Sequence, residues 1–300
     1  MSASQDDLVS SVSNSYELST LVPNVRQEVV DKLKWNLDTF DLKVSPQLEV
    51  CKYAEVPVTL QKSKIDWSNI SNKLSDEYVQ LHQMVVQSGT YNYLGCRIPV
   101  SSNLKIDNWR HMLHGGGYHD LQVCDLLEYG FPVSYEKSVM PHSCSRNHNN
   151  AHNFPDFVDQ FISTEIQLGA TLGPFDHNPL MDTLYTSPLN TVPKKGSESK
   201  RRIILDLSWP IGTSVNDGIY KDTYIGEHIQ VKYPSVDDFA ELIAHFGSGC
   251  SLYKTDLSRA YRQLPVCPGD IKFLGYSWRN QFFIDRVLPF GLRSVAYICQ

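Results

Sequence analysis

The sequence predicts an α+β fold, because strand and helix patterns alternate along the second half of the chain without the regular order of βαβ units. Two stretches have the pattern of β-hairpins: residues 189–207, with a tip rich in Lys, Gly and Ser, and residues 273–288, which turn near Arg279. Between them lies a helix pattern that begins at a capping box, with Ser235 as N-cap, and ends at Gly247.

The remaining elements of this half can be placed in chain order. An apolar stripe predicts a helix that ends near Gly169. In the first hairpin, the two strands are predicted at Leu189–Val192 and Arg202–Leu207, with an exposed tip between them. Residues 250–256 have the composition of a buried strand, and the final "SVAYICQ" has that of a helix start. The stripe consists of Phe157, Phe161, Ile162 and Ile166.

Composition divides the chain into four regions. Residues 1–20 are rich in Ser, Asn and Asp and are predicted to form a disordered tail. Residues 21–140 have a weakly helical pattern, and no motif in them indicates a role. Residues 141–153 are predicted to form a polar linker, and residues 154–300 hold the α+β elements.

Charge and cysteine content restrict the class of protein. The net charge of −6 argues against a general nucleic-acid binder, but residues 190–300 carry 14 Lys/Arg and 11 Asp/Glu, a mild excess that is compatible with contact with phosphates and also with ordinary surface charge. No apolar run approaches the ~20 residues of a membrane helix, so no membrane partner is expected. The seven scattered cysteines favour reduced thiols and an intracellular protein, with cytoplasm and nucleus both open.

One polar cluster contains zinc-binding side chains. His142, Cys144, His148 and His152 lie within eleven residues, and both side-chain types bind zinc. The stretch has no second cysteine and no C-x-x-C element, and it is rich in Asn and Ser. A polar linker is therefore favoured, and a zinc-dependent binding domain remains a hypothesis for metal analysis to test.

"YKTDLSRAYRQLPV" places Asp256 after a strand-like run and before a turn, with Tyr261 five residues later. A carboxylate held rigidly at a strand end suits binding of Mg²⁺, which prefers carboxylate, phosphate and water oxygens. The alternative is that Asp256 only caps the following turn, and the two roles are compatible.

This stretch resembles the reverse-transcriptase motif with a catalytic Asp and a following aromatic residue. "LPFGLRSVAYICQ" resembles the next motif of that family, and "SPLNTVPKK…RRIILDLS…SVND" resembles its fingers hairpin, in the same order. Four segments are most similar to the sequences of DIRS-like retrotransposons: "RRIILDLS", "DLSRAYRQ", "GYSW" and "DRVLPFGLRS". The resemblance implies a partial right-hand polymerase, with fingers and about half the palm, preceded by a mostly helical N-terminal region.

The resemblance also implies a role for each site residue. Asp256 and the main-chain carbonyl of Leu257 would bind Mg²⁺, and Tyr261 would be the steric gate that excludes ribonucleotides. Lys195 and Arg202 would bind the incoming triphosphate, with Arg201 or Lys194 as alternatives if the hairpin register differs by one residue. The remaining nucleotide-binding positions would be Arg259 and Ala260, through their amides, together with Phe290 and Gly291.

The implied partners are an RNA or DNA template with its primer and deoxyribonucleoside triphosphates, and in a full polyprotein ribonuclease H and a tyrosine recombinase. The family completes its two-metal site with an aromatic-x-Asp-Asp motif after the last helix, and residues 1–300 do not contain it in that place. These residues are therefore expected to be a truncated and inactive polymerase. The alternative is a noncatalytic nucleic-acid-binding or interaction fragment, the relic of a retroelement.

Overall fold

The computed structural model describes residues 73–89, 97–118, 122–144, 146–194, 197–247, 249–252 and 256–299. The predicted tail at residues 1–20 and most of the predicted helical region lie outside this part. Of the described residues, 234–247 and 249–252 belong to one compact unit, and all others belong to a second, larger unit.

The larger unit begins with helices and ends with a short one. α1 spans Lys73–Ser88, α2 Ile106–Gly115, α3 Gln122–Tyr129, α4 Asn149–Asn153 and α5 Pro155–Gln167. The last helix of this unit, Val295–Ile298, begins where the sequence predicted a helix start. Pro155 opens α5, a position where proline suits a helix because its missing N–H has no partner to lose.

A three-stranded antiparallel sheet forms the centre of the larger unit. Its strands are β1 (Thr171–Phe175), β6 (Gly275–Trp278) and β7 (Gln281–Asp285), in the order β1–β7–β6. β6 and β7 form the second predicted hairpin, which turns at Arg279 and Asn280. Both turn residues have positive φ, as a tight hairpin turn requires.

The first predicted hairpin is also present, with longer strands. β2 (Leu189–Lys194) pairs with β3 (Ser197–Leu205), and the register places Val192 opposite Arg202. A further two-stranded ribbon pairs β4 (Thr223–Tyr224) with β5 (Glu227–His228). The mixed helix and strand composition confirms the prediction of an α and β protein.

The core of the larger unit joins the early helices to the sheet. Leu127 on α3, Ile162 on α5, Leu172 on β1 and Ile284 on β7 are at most 2% exposed. Burying each such side chain contributes about 2 kcal/mol before the entropy cost of folding is counted. Tyr78 on α1 is also fully buried, so α1 packs in the same unit as the strands.

Residues 141–153, predicted as a polar linker, are bonded into the larger unit. Asn147 accepts from the Leu189 amide at 2.8 Å and donates to the Ser277 carbonyl at 2.8 Å, so its amide joins β2 to β6. His148 Nε2 lies 2.9 Å from Asp206 Oδ2, and the His152 ring stacks on Trp278. The linker interpretation is corrected accordingly, because these polar side chains satisfy backbone groups between strands.

The smaller unit includes the helix predicted from its capping box. α6 spans Val236–Phe246, with Ser235 as N-cap. The Ser235 hydroxyl accepts from the Asp238 amide at 3.0 Å, and the Asp238 carboxylate accepts from the Ser235 amide at 2.7 Å. Residues 250–252, which the sequence placed in a buried strand, are not in a strand, and residues 253–255 lie outside the described part.

Candidate functional site

A cleft of about 770 Å³ lies in the larger unit. One side of it, here called the hairpin wall, is formed by β2 and β3. A second part of the lining, here called the turn wall, is formed by α5, by Arg259 and Arg262 in the turn region after Asp256, and by Asp285 at the end of β7. Tyr276 on β6 and residues 289–291 complete the lining. A cleft of this size is within the range that binds small molecules such as nucleotides.

Basic side chains outnumber acidic ones in the cleft. The two acidic residues, Glu165 and Asp285, are both ion-paired with arginines of the turn wall. The remaining cations have no carboxylate of the cleft to neutralise them, so the lining favours anions. The basic residues are Lys194, Arg201, Arg202, Arg259 and Arg262.

The hairpin wall holds two neighbouring arginines in different environments. Arg201 donates from Nε to Thr191 Oγ1 at 3.0 Å, and its guanidinium lies 3.6 Å from the centre of the Phe154 ring. Arg202 is exposed, and no ion pair or side-chain hydrogen bond joins it to another residue in the described ranges. Arg202 is therefore the arginine of this wall that is available to bind an anion, whereas Arg201 is held by the protein.

The turn wall holds its cations in a compact cluster. Arg259 donates two hydrogen bonds to Glu165, at 2.6 Å and 2.8 Å. Arg262 donates from Nη2 to Glu165 Oε2 at 2.7 Å and to Asp285 Oδ1 at 3.0 Å. Thr171 donates from its hydroxyl to Asp285 Oδ1 at 2.6 Å. We call Glu165, Arg259, Arg262 and Asp285 the arginine–carboxylate cluster; its charges sum to zero.

Burial and pairing shift the pKa values of this cluster in opposite directions. Burial by itself would raise the pKa of Glu165, but the hydrogen bonds and charges of Arg259 and Arg262 outweigh it, and the pKa lies below its usual range. Burial opposes the charged form of Arg262 too, yet Asp285 and Glu165 raise its pKa. Both groups are thus charged at neutral pH.

Two aromatic residues predicted at the nucleotide site meet beside the cleft. The rings of Tyr261 and Phe290 are 5.2 Å apart, edge to face. Phe290 is 54% exposed and lines the cleft, as does Gly291. Gly291 has φ +96°, a conformation that favours glycine, and its carbonyl accepts from Asn216 Nδ2 at 2.7 Å.

The other predicted site residues are placed differently. Asp256 and Leu257 are exposed and are not among the residues that line the cleft. Ala260 is half-buried next to the cleft residue Arg259, and Lys195 lies outside the described residues. Arg202, Arg259, Phe290 and Gly291 thus line the same cleft, whereas Asp256 is not part of that lining.

The described side chains do not complete a two-magnesium site. Mg²⁺ requires several oxygen ligands, and Asp256 with the Leu257 carbonyl supplies two of them at most. In the part of the chain that the structure describes, no three His, Cys, Asp or Glu side chains are grouped as metal ligands.

Sequence reasoning missed several residues that shape this site. Glu165 was not singled out, although it falls three residues after Ile162 on the buried face of α5, where a carboxylate requires a cationic partner. Asp285 directly follows the apolar stretch of β7, which is a comparable indication. Asn216 lay within the quoted "SVND" but received no role, and its two hydrogen bonds to the 291–293 loop appear only in the structure.

No protein-family model and no curated protein sequence matches the chain. Among solved structures, the foamy viral protease-reverse transcriptase dRH in complex with double-stranded DNA is 14% identical with a TM-score of 0.34, over 65% of this chain and 34% of that one. Native Prototype Foamy Virus protease-reverse transcriptase is 12% identical with a TM-score of 0.37, over 72% and 25%. The complex with an RNA/DNA hybrid is 14% identical with a TM-score of 0.36, over 71% and 24%.

The chain thus corresponds to about a quarter to a third of the length of these three structures. Across the described ranges, no helix combines the length and the apolar character needed to cross a membrane.

Proposed function

We propose that this chain contains the fingers and part of the palm of an RNA-directed DNA polymerase, similar to the reverse transcriptases of DIRS-like retrotransposons. The observation that carries the proposal is the convergence of three separated motifs on one cleft. Arg202 comes from the fingers-like hairpin, Arg259 from the "DLSRAYRQ" stretch, and Phe290 and Gly291 from the "LPFGL" loop.

In this proposal the cleft binds the incoming deoxyribonucleoside triphosphate. Arg202 contacts the phosphates through its exposed guanidinium, whose planar fork suits phosphate oxygens. The amides of Arg259 and Ala260 face the same phosphates. Tyr261, held against Phe290, lies under the sugar and excludes a 2′-hydroxyl. Lys195 is a further phosphate ligand, predicted from the sequence alone.

In this proposal, Asp256 and the Leu257 carbonyl would bind Mg²⁺. When bound in a complete site, two Mg²⁺ ions would activate the primer hydroxyl and neutralise the leaving pyrophosphate. Because one carboxylate does not hold two ions, residues 1–300 by themselves are proposed to bind substrates without extending a primer. The proposed partners are a template with its primer and, within a longer polyprotein, ribonuclease H and a tyrosine recombinase.

Equilibrium binding of a fluorescent deoxyribonucleoside triphosphate, with Mg²⁺ and a template-primer present, tests the proposal. Arg202→Ala is expected to weaken binding about tenfold, the loss of one charge-assisted phosphate contact. Arg146→Ala is the matched control, because Arg146 is also an exposed arginine but does not line the cleft. Its affinity should equal that of the unmodified chain.

Two results would contradict the proposal. Equal affinities of the Arg202→Ala and Arg146→Ala variants would show that the cleft is not the nucleotide site. Binding of the template-primer without any nucleotide binding would favour a noncatalytic nucleic-acid-binding fragment. Primer extension by the 300 residues, lost in Asp256→Asn, would contradict the proposed inactivity but support the assignment of Asp256.

A further inference from the structure

Two arginines bond the turn of residues 258–260 and the adjoining turn at Tyr261–Gln263 to α5 and β7. Arg259 and Arg262 flank the proposed gate, Tyr261, and both are bonded to Glu165 on α5. Arg262 also bonds to Asp285 at the end of β7. The backbone between the two arginines therefore has its position set by side chains on a helix and a strand.

Glu165 is the central member of this arrangement. Its carboxylate is 3% exposed and accepts from both arginines, which are the only side chains bonded to it in the described ranges. Arg262 is 4% exposed, and Arg259 is 30% exposed toward the cleft that it lines. A buried carboxylate with two cationic partners is costly to disturb, because removing one charge leaves another without compensation.

The backbone at Arg259 supports the same interpretation. Arg259 has φ +56°, in the left-handed region that a residue with a side chain seldom adopts. Such conformations persist when surrounding contacts hold them, and they occur often at functional sites. Here the contact is the pair of hydrogen bonds to Glu165. The Glu165 bonds therefore fix a backbone conformation that alters the direction of the chain just before Tyr261.

We propose that Glu165 is a positioning residue of the nucleotide site. Through Arg259 and Arg262 it holds the segment that presents the Arg259 amide to the phosphates and the Tyr261 ring to the sugar. The inference rests on the proposed function, because it concerns how the same cleft distinguishes its substrates. Both oxygens of the Glu165 carboxylate accept from these arginines, so Glu165 acts through them although it also lies in the cleft lining.

Discrimination between deoxyribonucleotides and ribonucleotides is the property that should depend on Glu165. A gate works by a steric clash, so a shift of the Tyr261 ring by a fraction of an ångström relaxes it, whereas phosphate binding keeps its contact with the Arg202 guanidinium on the hairpin wall. Glu165→Gln is therefore expected to reduce the ratio of deoxyribonucleotide to ribonucleotide affinity about tenfold. The affinity for inorganic tripolyphosphate, which keeps the Arg202 contact and loses at most the Arg259 amide contact, should fall by a smaller factor than this ratio.

Asp159→Asn provides the matched control. Asp159 lies on the same helix, is also buried, and accepts from Trp278 Nε1 at 2.7 Å and Arg279 Nε at 2.8 Å. Its variant removes the same charge from an ion pair whose arginine, Arg279, is half-exposed, and none of the bonds of Asp159 is to the 259–262 segment. Both variants should lower the melting temperature, but Asp159→Asn should keep the deoxyribonucleotide preference of the unmodified chain.

The experiment measures dissociation constants of dATP, ATP and tripolyphosphate for the full chain and each variant. A preference retained in Glu165→Gln, while Arg202→Ala loses affinity, would overturn the positioning role and leave the proposed function standing. Failure of the unmodified chain to bind dATP would overturn both. If Glu165→Gln does not fold, Glu165→Asp decides, because it keeps the charge but is one methylene too short to bond both arginines as Glu165 does. A normal preference in that variant would also overturn the role.

Discussion

The two walls of the cleft carry similar numbers of arginines but use them differently. On the turn wall, Arg259 and Arg262 are neutralised within the arginine–carboxylate cluster, and Arg262 is almost fully buried. On the hairpin wall, Arg202 is exposed and has no carboxylate partner among the described residues. The comparison teaches that a basic residue near a cleft indicates ligand binding only after its partners within the protein are known.

The difference in burial and pairing also predicts which arginines stabilise the fold and which are available to bind a ligand. A buried, paired arginine contributes when the chain folds, and its loss leaves buried carboxylates without compensation. An exposed, unpaired arginine contributes little to folding and retains its charge for a ligand. Substitutions in the arginine–carboxylate cluster should therefore destabilise the protein, whereas substitution of the exposed Arg202 should change mainly the affinity for a ligand.

The largest effect is expected from Arg262→Met. The substitution removes the cation between Glu165 and Asp285 and should cost about 3–5 kcal/mol of unfolding free energy, since two carboxylates then face each other in a buried site. Urea denaturation followed by fluorescence measures this. A loss below about 1 kcal/mol would show that the cluster is not the buried ion-pair network described, because exposed pairs contribute that little.

Low pH should destabilise the protein, because Glu165 on the turn wall then becomes protonated. The pKa of Glu165 is lower in the folded chain than in the unfolded chain, so the unfolded state binds more protons as the pH falls. The stabilisation from Glu165 is present above its unfolded pKa and is lost as the pH falls through its folded pKa. Unfolding free energy measured between pH 6 and pH 3 should decline.

Glu165→Gln replaces the titrating carboxylate with a neutral amide. The difference in pH dependence between this variant and the unmodified chain therefore gives the part of the stability loss at low pH that Glu165 causes. The variant should be less stable at neutral pH, and its stability should depend less on pH than that of the unmodified chain. Equal pH dependence in the two proteins would assign the acid sensitivity to other carboxylates, such as Asp182, whose pKa is also lowered although burial opposes the effect of Lys272.

A smaller loss of stability is expected from substitution of Asn216, which bonds to the loop of residues 291–293. Asn216 is buried, donates to the Gly291 carbonyl and accepts from the Arg293 amide at 2.8 Å. Asn216→Ala leaves these two backbone groups without that partner and should cost about 1–3 kcal/mol. Hydrogen exchange of the Arg293 amide should accelerate accordingly. Unchanged exchange would mean that the amide is protected without Asn216.

The predictability of the fold from the sequence differs from element to element. Both hairpins and α6 were predictable because their determinants are local: the turn at Arg279 and Asn280, and the Ser235–Asp238 capping box. Residues 141–153 were misinterpreted because Asn147 bonds to partners 42 and 130 positions away, which no local pattern reveals.

The candidate site was predictable to a similar degree. Arg202, Arg259 and Phe290 belong to motifs that are recognisable in the sequence, and all three line the cleft, whereas their roles stay predictions. Glu165 could not be assigned in this way, since its role depends on Arg259, 94 positions later in the chain. Long-range pairing of charges is decided by the folded arrangement, so the sequence shows only that a carboxylate occupies an apolar helix face.

The smallest effect on stability, and the sharpest test of the comparison, lies within the hairpin wall. Arg201→Ala should cost about 1–2 kcal/mol, because it removes the hydrogen bonds to Thr191 and the cation–π contact with Phe154. Arg202→Ala should change stability by less than about 0.5 kcal/mol, as an exposed and unpaired side chain. Urea denaturation of the two variants measures both values.

Because Arg201 and Arg202 are adjacent in β3, the two alanine variants remove the same side chain and the same charge from the same strand. If the interpretation of the two walls is correct, Arg201→Ala loses stability while its folded fraction keeps tripolyphosphate affinity, and Arg202→Ala shows the reverse. A loss of anion affinity in Arg201→Ala alone would exchange the two assignments, as a register shift of one residue in β3 would require. Equal losses in both would mean that the cation–π contact does not hold Arg201 away from the ligand.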